Sequence, residues 1–392
     1  MRILIAPDSF KDALPAADAA KAIADGIAQA LDDAAYIADT LAMSDGGEGF
    51  VQAMAYSLGE SQMQRVETTD PLGRPIHARY ALASATDRRP STAVIELADA
   101  SGLERLARHE RDPTKTTTFG TGTLIRHALD HGAQRILLGI GGSATTDAAL
   151  GIAQALGLPL QDEAGHTINR PVTGGDLTAV ANSNTDWRCH DPRIHHASAD
   201  RPATLRIACD VSNPLHGPNG AAHVYGPQKG ASPEQVEQLD AGLRDLAIAW
   251  RTAGLPDVAQ LPGAGAAGGV GGGLVAMLGA ELDPGAQLVL DAIGFDRHLA
   301  QADLVITGEG RLDRQSLQGK AVIAVAKRAK AAGVPCIALV GCVGEGAELA
   351  LEHGLTGYHV IGEGLMPEQS IAQTAQLLAK TTAQIIEQLN NR

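Results

Sequence analysis

Aromatic side chains are scarce in this chain of 392 residues, where Phe, Trp and Tyr make up 3%. This scarcity argues against an aromatic-rich β-sandwich and favours a core of small and branched aliphatic side chains, as in layered α/β proteins. Long apolar runs are lacking as well, since no stretch approaches the roughly 20 residues that cross a bilayer. Residues 1–9 have the pattern of a strand entering a turn, not of a signal peptide. We therefore expect a cytoplasmic protein that does not contact a membrane.

Positive charge and paired cysteines are also in short supply. Lys and Arg number 31 against 45 Asp and Glu, a formal net charge of −14, which argues against binding nucleic acid or an anionic membrane surface. The cysteines, Cys189, Cys209, Cys336 and Cys342, form no C-x-x-C pair and no metal-ligand spacing. Such usage fits a reducing cytoplasm. A small anionic substrate stays compatible with the charge, because local Lys and Arg side chains decide its binding.

Strand and helix patterns alternate at both ends of the chain, whereas the middle has a different texture. Between residues 64 and 97, short runs of alternating polarity indicate antiparallel hairpins, and residues 161–201 are polar and predicted to be loop. Elsewhere strands are predicted at 2–6, 36–41, 135–140, 204–209, 303–307 and 335–340, and helices at 15–31, 50–58, 122–131, 146–158, 234–252 and 320–332. These patterns predict an α/β protein with a discontinuous first domain and a second domain inserted in it.

Glycine, unlike the aromatics, is abundant, and glycine-rich segments at 139–147, 263–273 and 308–313 lie among charged side chains. The first and third directly follow predicted strands, and loops at the carboxyl ends of parallel strands line the ligand crevice of an open sheet. Glycine lets the backbone approach an oxyanion closely, and the helix start that follows offers unpaired N–H donors. These segments predict a phosphate site.

More specific nucleotide motifs are weak here. Residues 139–144 and 263–268 both satisfy the dinucleotide fingerprint, but the second follows Pro262, which cannot continue a strand, and the first lacks a good second strand with a ribose-binding acid. The Walker pattern fails because Ala321 follows Lys320 where Ser or Thr is required. No nucleophile elbow surrounds Ser143. The alternative for 263–273 is a linker or a tight helix-packing corner, which we rank slightly below a ligand-contacting role.

Charged side chains occur where several predicted strands stop. A single Asp in such a place is usually a cap or turn residue, and a single Lys or Arg is usually a solvated charge. Several acid-bearing strand ends in one α/β chain favour a site, because those ends converge in space. Phosphoryl transfer uses carboxylates that hold Mg²⁺, cations at the transferring group and a carboxylate near the acceptor hydroxyl. The groups are Asp8 with Lys11, Asp45 with Glu48, Asp210, and Glu309 with Arg311 and Asp313.

From end to end, the sequence resembles the bacterial glycerate kinase family. The matching motifs, in order, are residues 6–11 (APDSFK), 44–49 (SDGGEG), 141–145 (GGSAT) with Asp147, 209–215 (CDVSNPL), 226–231 (GPQKGA), 263–269 (GAGAAGG) and 308–313 (GEGRLD) with Gln315 and Gly319-Lys320. The chain departs from the family pattern at Thr146, where Asn is usual, at Ala148 and Ala149, which replace glycines, and at Ser316, which replaces Thr. The first two departures fall in the glycine turn that follows the strand at 135–140.

The resemblance implies ATP-dependent phosphorylation of D-glycerate, preferably at the 2-hydroxyl, with the 3-hydroxyl left open. It also implies two intertwined α/β domains. One is flavodoxin-like with a parallel sheet and comprises residues 1–65 and 290–392, with or without part of 115–158. The other, residues 66–289, is a mixed-sheet inserted domain, and the active site is expected in the cleft between them. We expect a monomer or homodimer.

Roles are assigned on this basis. ATP phosphates are expected on backbone donors of the glycine segments, Mg²⁺ on carboxylates, and the substrate carboxylate on Lys or Arg. The expected nucleotide-binding residues are Gly141, Gly142, Ser143, Gly265, Gly268, Gly269 and Lys320. The expected Mg²⁺ ligands are Asp45, Glu309 and Asp313. The expected substrate-binding residues are Asp8, Ser9, Lys11, Asp45 and Arg311. The expected catalytic residues are Asp210, as the base, with Lys11 and Arg311.

Two other functions stay open at this point. An NAD(P)-dependent hydroxy-acid dehydrogenase would need a fingerprint on a strand-turn-helix with an acidic ribose partner. A non-catalytic sugar-acid-binding regulator would need a DNA-binding or partner module, and no basic helix-turn-helix pattern is visible.

Overall fold

The computed structural model describes residues 1–31, 36–47, 49–87, 89–187, 191, 193–194 and 202–390, so Glu48 and Cys189 lie outside the described residues. The chain divides into two compact units. Unit 1 comprises residues 1–45, 52–59 and 284–392, and unit 2 comprises residues 46–51 and 60–283. Strands and helices are numbered below in chain order. No helix among the described residues combines the length and apolarity needed to cross a membrane.

Unit 1 is built on a five-stranded sheet in which all neighbouring strands are parallel. Its strands are β1 (Arg2–Pro7), β2 (Ile37–Thr40), β9 (Leu304–Leu312), β10 (Cys336–Val343) and β11 (Gly357–Val360). They lie side by side as β2-β1-β9-β10-β11. Counted within the unit this order is 2-1-3-4-5, the flavodoxin-like order. The expected flavodoxin-like parallel sheet is confirmed.

The helices of unit 1 surround a core of aliphatic side chains. They are α1 (Ala16–Ala30), α2 (Phe50–Leu58, from Gln52 onward), α10 (Gly285–Ile293), α11 (Phe295–Leu299), α12 (Ala321–Ala331), α13 (Pro367–Ala372) and α14 (Thr374–Asn390). Helix α1 turns Ile23 and Ile27 inward, as their spacing predicts. Gly26 lies between them, and a Cβ there would be 2.3 Å from the carbonyl oxygen of Ala379 in α14. Only glycine lets these two helices approach so closely.

Unit 2 contains a six-stranded mixed sheet with the order β3-β4-β5-β6-β7-β8. Its strands are β3 (Ser61–Thr69), β4 (Pro75–Ala83), β5 (Thr92–Glu96), β6 (Arg135–Gly139), β7 (Thr204–Ala208) and β8 (Glu281–Asp283). The pairs β3–β4 and β4–β5 are antiparallel, and the pairs from β5 to β8 are parallel. The expected hairpins and mixed sheet are therefore confirmed, and the parallel half brings the carboxyl ends of four strands to one edge.

The helices of unit 2 are α3 (Ala98–Ser101), α4 (Phe119–Asp130), α5 (Leu150–Ala155), α6 (Leu177–Ala181), α7 (Ala221–Tyr225), α8 (Pro233–Thr252) and α9 (Ala266–Leu278). Helix α8 starts where the sequence predicts, because Ser232 accepts the Gln235 N–H at 3.3 Å and the Gln235 side chain returns to the Ser232 N–H at 2.8 Å. Its inner face ends at the buried Trp250.

Three local predictions are corrected by the structure. Residues 308–312 are not a turn: β9 continues through them because β10 pairs with it as far as Leu312. The helix predicted at 146–158 shrinks to α5, since Ala148 and Ala149 have φ of 51° and 61°, outside the helical region. Within the predicted loop 161–201, residues 177–181 form α6, whose Leu177 and Val180 are buried.

Candidate active site

The first group of site residues lies at the carboxyl edge of the unit 1 sheet, where β1 and β9 are neighbours. This is the place where the strand order reverses, and ligands of open α/β sheets bind at such a point. Asp8 directly follows β1, and its backbone N–H donates to the Gly308 carbonyl of β9 at 2.8 Å. Glu309 is the next residue of β9. The pairing of the strands thus brings two carboxylates together from positions some 300 residues apart in the sequence.

Asp45 joins them along the path that follows β2. The backbone N–H of Leu41 donates to Ile5, and that of Met43 donates to Pro7, at 2.8 and 2.9 Å. These bonds guide the chain along β1 to Asp45. Asp45 is close enough to the other two carboxyl groups for its negative charge to raise the pKa of both Asp8 and Glu309.

Asp8 has a strongly shifted pKa. Burial raises it to about 8, with further contributions from the charges of Asp45 and Glu309, and against the backbone N–H of Ser9, which donates to the Asp8 carboxylate at 2.6 Å. A carboxyl group with this pKa binds a proton near neutral pH unless a cation arrives to stabilise its ionised form. The site therefore gathers carboxyl groups whose ionised forms a cation would stabilise.

Glu309 is the most enclosed carboxylate of this group, with 5% of its surface exposed. Burial raises its pKa to about 7, although the Ser316 hydroxyl and the Lys320 charge lower it. Its Oε2 lies 3.9 Å from Lys320 Nζ, and its Oε1 has no hydrogen-bond partner among the described residues. A buried carboxylate oxygen without a partner is costly. The arrangement fits a cation at Oε1.

Arg311 and Asp313 form an ion pair at the end of β9. Arg311 Nε donates to Asp313 Oδ2 at 2.8 Å, and this contact holds the pKa of Asp313 below its usual range. The Ser316 hydroxyl accepts the Asp313 N–H and lies 3.2 Å from the Arg311 carbonyl, to which it donates. Asp313 therefore orients a guanidinium whose side chain is 63% exposed.

Lys11 lies in the short turn that follows Ser9, with its side chain exposed. The turn packs on β9 at two glycines. A Cβ at Gly308 would be 3.2 Å from the Phe10 ring, and one at Gly310 would be 3.1 Å from the Lys11 nitrogen. Glycine at these positions lets the Lys11 turn lie against the strand that carries Glu309.

The described residues contain no group of three or more His, Cys, Asp or Glu side chains arranged to hold a metal ion by themselves. Mg²⁺ is usually held by one or two carboxylates together with water and phosphate oxygens. Asp45 and Glu309 supply two carboxylates of the kind that such a site uses, and their role as Mg²⁺ ligands stays a prediction.

The second group of site residues lies in unit 2, in the turn that follows β6. Gly141 and Gly142 are exposed, whereas the chain from Ser143 onward is buried. Gly142 has φ of 68°, in the region that favours glycine. The two exposed glycines are the part of this turn whose backbone a ligand can approach, and their phosphate contacts stay a prediction.

Behind that turn lies a buried lysine. Lys229 is 2% exposed, and its Nζ donates to the Thr145 carbonyl at 2.6 Å and to Ser143 Oγ at 3.4 Å. Burial lowers the pKa of Lys229 to about 7, and the negative charge of Asp147 opposes this change.

Asp147 is completely buried next to this lysine. Its Oδ2 accepts the Thr118 N–H at 2.7 Å, the Thr118 hydroxyl at 2.8 Å and the Gly151 N–H at 3.3 Å. Burial raises the pKa of Asp147 to about 6 against these bonds. Its Oδ1 has no partner among the described residues. Two buried ionisable groups, Lys229 and Asp147, thus lie behind the turn that follows β6.

The glycines of the 263–273 segment are closely packed within unit 2, and Gly268 and Gly269 lie against this turn. A Cβ at Gly268 would be 2.0 Å from the Thr145 carbonyl, and one at Gly269 would be 3.2 Å from Ala148 Cα. A Cβ at Gly265 would be 2.2 Å from the carbonyl of Pro214. All three glycines are buried. This close packing by itself accounts for glycine at these positions, and their nucleotide contacts stay a prediction.

Asp210 follows β7 and is exposed. Strand β7 is parallel to β6, with Ala208 opposite Gly139. Asp210 and Gly141 are each two residues beyond that pair, so both lie at the carboxyl edge of the sheet. The sequence prediction for Asp210 as a strand-end residue is confirmed in position, and its role as base stays a prediction.

Sequence reasoning gave no role to Lys229 and Asp147. Both lie in motifs that carried the family resemblance, at 226–231 and beside 141–145. Sequence reasoning treats a lysine in a glycine-proline turn as solvated, because its burial depends on a partner 84 residues away. Lys320 Nζ lies 3.9 Å from Glu309 Oε2, and its expected contact with the nucleotide stays a prediction.

Comparison with known proteins gives consistent similarities. A model of the Glycerate kinase family matches residues 3–390. The chain is 44% identical to a glycerate kinase of Halalkalibacterium halodurans over 98% of this chain and 97% of that protein. It is 42% identical to a glycerate 2-kinase of Escherichia coli over 91% and 89%. The crystal structure of a protein proposed to be glycerate kinase 2 from Salmonella typhimurium aligns with a TM-score of 0.86 at 41% identity, over 100% of this chain and 98% of that one.

Proposed function

The chain belongs to the glycerate kinase family, and from this premise we propose that it transfers the γ-phosphoryl group of ATP to the 2-hydroxyl of D-glycerate with the assistance of Mg²⁺. The observation that carries the proposal is the group of carboxylates at the point where the unit 1 strand order reverses. Burial together with the charges of Asp45 and Glu309 raises the pKa of Asp8 there, and burial together with the charge of Asp45 raises the pKa of Glu309, as is expected of a site that binds a cation.

Glycerate is a small anion with two hydroxyl groups. Lys11 and Arg311 supply exposed positive charge beside β9, and the Arg311 fork suits a carboxylate or phosphoryl group. Asp8 and Ser9 offer acceptors and donors to hydroxyl groups at the end of β1. We propose that these four residues bind and orient glycerate.

Mg²⁺ would be held by Glu309 and Asp45, with Asp313 as a third, water-mediated contributor because its carboxylate already accepts from Arg311. The unpartnered Oε1 of Glu309 supports this assignment. When bound, the ion neutralises charge on the phosphate oxygens. Lys320 lies beside Glu309, so its positive charge balances part of the negative charge of Glu309 before the ion arrives.

The nucleotide phosphates would meet the backbone N–H groups of Gly141 and Gly142, with Ser143 closing the turn. Gly268 and Gly269 support this turn from the side, and Gly265 packs against the carbonyl of Pro214. Asp210, at the same sheet edge, is proposed to accept the proton of the attacking hydroxyl. In loose phosphoryl-transfer transition states the protein contributes mainly positioning and charge stabilisation. In the proposed mechanism, accordingly, no side chain forms a covalent bond to the transferred group.

The test is phosphorus NMR of the product formed from ATP and D-glycerate with and without Mg²⁺. We expect ADP and 2-phosphoglycerate, and no product after chelation of the metal. A 3-phosphoglycerate signal would correct the position of transfer and leave the kinase assignment intact. The absence of any phosphoglycerate with Mg²⁺ or Mn²⁺ would refute the proposal, and NADH-dependent turnover would replace it by a dehydrogenase.

A further inference from the structure

Lys229 is a buried cation that the proposed reaction does not use directly. It ends the short helical turn of residues 227–229, after which Gly230 has φ of 92°. A Cβ at Gly230 would be 2.1 Å from the Arg111 carbonyl, so the backbone here is tightly anchored. From this anchored position the side chain reaches Thr145 and Ser143.

Its contacts lie on the inner side of the glycine turn. The Nζ atom donates to the Thr145 carbonyl at 2.6 Å and to Ser143 Oγ at 3.4 Å. With 2% of the residue exposed, the ammonium group is directed at the turn and shielded from solvent. It therefore acts on the backbone of the turn rather than on a ligand.

Ser143 contacts both Lys229 and the second glycine segment, residues 263–273. Its Oγ accepts the Thr145 N–H at 3.1 Å and lies 3.3 Å from the Ala267 carbonyl, to which it donates. Ala267 has φ of 54°, in the left-handed region that a residue with a Cβ rarely adopts and that strains its backbone. The chain Lys229–Ser143–Ala267 joins both glycine segments through side-chain hydrogen bonds.

Burying a charged lysine costs free energy, and the negative charge of Asp147 offsets part of that cost. The Asp147 charge raises the pKa of Lys229 against the effect of burial, but no direct Lys229–Asp147 contact is needed for that. An apolar side chain in this place would often be equally or more stable. A buried cation behind strained backbone points to a functional requirement.

We propose that Lys229 is a positioning residue for the nucleotide: its ammonium group holds the carbonyl of Thr145 and the hydroxyl of Ser143 so that the N–H groups of Gly141 and Gly142 are aligned for phosphate oxygens. This inference rests on the proposed function, because it takes the turn after β6 as the nucleotide site. Lys229 thereby sets nucleotide affinity without contacting the nucleotide.

The experiment compares wild type with Lys229→Met, which keeps the length of the side chain and removes its charge and donors. Titration calorimetry with Mg²⁺ and an unreactive ATP analogue gives nucleotide affinity, and steady-state kinetics give KM for ATP and for glycerate. Lys115→Met is the matched control, because Lys115 is the other described lysine of unit 2 and its side chain is 73% exposed.

We expect Lys229→Met to weaken analogue binding by roughly tenfold or more and to raise KM for ATP similarly, while KM for glycerate changes less than about twofold. Lys115→Met should match wild type. In a cycle with Ser143→Ala, the effects of the two changes should be clearly non-additive, since Lys229 acts partly through that hydroxyl. Lys229→Gln lacks the charge and is shorter. It should likewise weaken nucleotide binding more than glycerate binding, and it replaces the Met variant in the experiment if that variant does not fold.

Unchanged analogue affinity in folded Lys229→Met and Lys229→Gln would overturn the inference, and so would equal losses of nucleotide and glycerate binding, which a general structural role predicts. If wild type itself does not bind the analogue with Mg²⁺, the proposed function fails and this inference fails with it. The two failures are thus distinguished by the wild-type titration alone.

Discussion

Asp210 is an exposed carboxylate whose proposed role concerns rate rather than folding. We predict that Asp210→Asn lowers kcat by roughly 10²-fold or more, as removal of a general base does. Glycerate affinity and Tm should stay near the wild-type values, because an exposed side chain contributes little to the core. Stopped assays of ADP formation at varied glycerate concentration measure kcat and KM for glycerate, and thermal unfolding measures Tm.

A turn-capping role for Asp210 makes the opposite prediction. Loss of a cap costs about 0.5–2 kcal/mol of stability and leaves catalysis largely intact. A variant that melts lower and turns over normally would remove Asp210 from the mechanism. The base would then be sought among Asp45, Glu309 and Asp313.

Lys11 is predicted to stabilise negative charge during transfer. Lys11→Met should reduce kcat/KM by on the order of 3 kcal/mol in transition-state free energy, about a 10²-fold effect, with the fold intact because the side chain is exposed. Lys21→Met, at an exposed position of α1, is the control and should retain wild-type kinetics. Near-wild-type kinetics of Lys11→Met would reduce Lys11 to a surface charge.

Lys229 also predicts a dependence of stability on pH. Its pKa in the folded protein, about 7, lies below the ordinary value of 10.5. Between these values the unfolded chain binds a proton that the folded chain has lost, so this group makes the folded state more stable as pH rises. Below about pH 7 both states hold the proton, and the full cost of the buried charge is present.

Urea unfolding at pH 7 and pH 9 measures this term. From pH 7 to 9, wild type should gain about 2 kcal/mol relative to Lys229→Met, which has no such proton to release. Lys115→Met should follow wild type, because its lysine is exposed. Parallel pH profiles of wild type and Lys229→Met would contradict the prediction.

At the scale of elements, the start of α9 shows how backbone contact limits sequence. Gly268 combines φ of 74° with a Cβ position 2.0 Å from the Thr145 carbonyl. Gly254, after α8, has a similar φ of 80° and nothing within 4 Å of the Cβ position. Comparing these two glycines separates the cost of the dihedral angle from the cost of the contact.

We predict that Gly254→Ala lowers the free energy of unfolding by about 1–2 kcal/mol and that Gly268→Ala lowers it by more than about 3 kcal/mol, since the backbone of the turn must also move. Urea unfolding of both variants is the measurement. Equal losses would show that residues 263–273 are loosely packed, contrary to the structure.

Strand β9 is longer than its local sequence pattern predicts. Its apolar run stops at Thr307, but pairing with β10 carries the strand five residues further. Glu309 and Arg311 are therefore fixed in a regular ladder instead of lying in a loop. A strand whose carboxyl end is also paired holds its polar side chains more rigidly than a free turn would.

At the scale of the whole molecule, the two units carry different parts of the proposed reaction. Carboxylates and cations for glycerate and Mg²⁺ belong to unit 1, and the glycine turn with Lys229 belongs to unit 2. Each unit also has a hydrophobic core of its own. This division predicts that each ligand alone protects mainly one unit.

Hydrogen exchange measured by mass spectrometry tests the division. We expect the ATP analogue alone to slow exchange at residues 139–149 and 263–273, and glycerate alone to slow it at 7–11 and 308–313, because bound ligands stabilise the segments that they contact. Both sets should be protected when both ligands are present. Protection of the opposite sets would require the assignments of the two units to be exchanged.

The sequence by itself determined the class of the fold, most strands and helices, and the residue types of the site. These features are local: the period of apolar residues, glycine after a strand and an acid at a strand end are written in neighbouring positions. The strand before Asp8, the capped start of α8 and the strand before Asp210 were predictable for this reason. The family motifs added the expected activity.

Only the tertiary structure decided which of these residues meet and which charges are buried. Asp8 and Glu309 become neighbours through the pairing of β1 with β9, and Lys229 becomes a buried cation through contacts with Thr145 and Ser143. Desolvation and close packing depend on atoms far away in the sequence; desolvation is the largest cause of the raised pKa of Asp8, and the contact with Thr145 requires glycine at position 268. No local pattern contains that information.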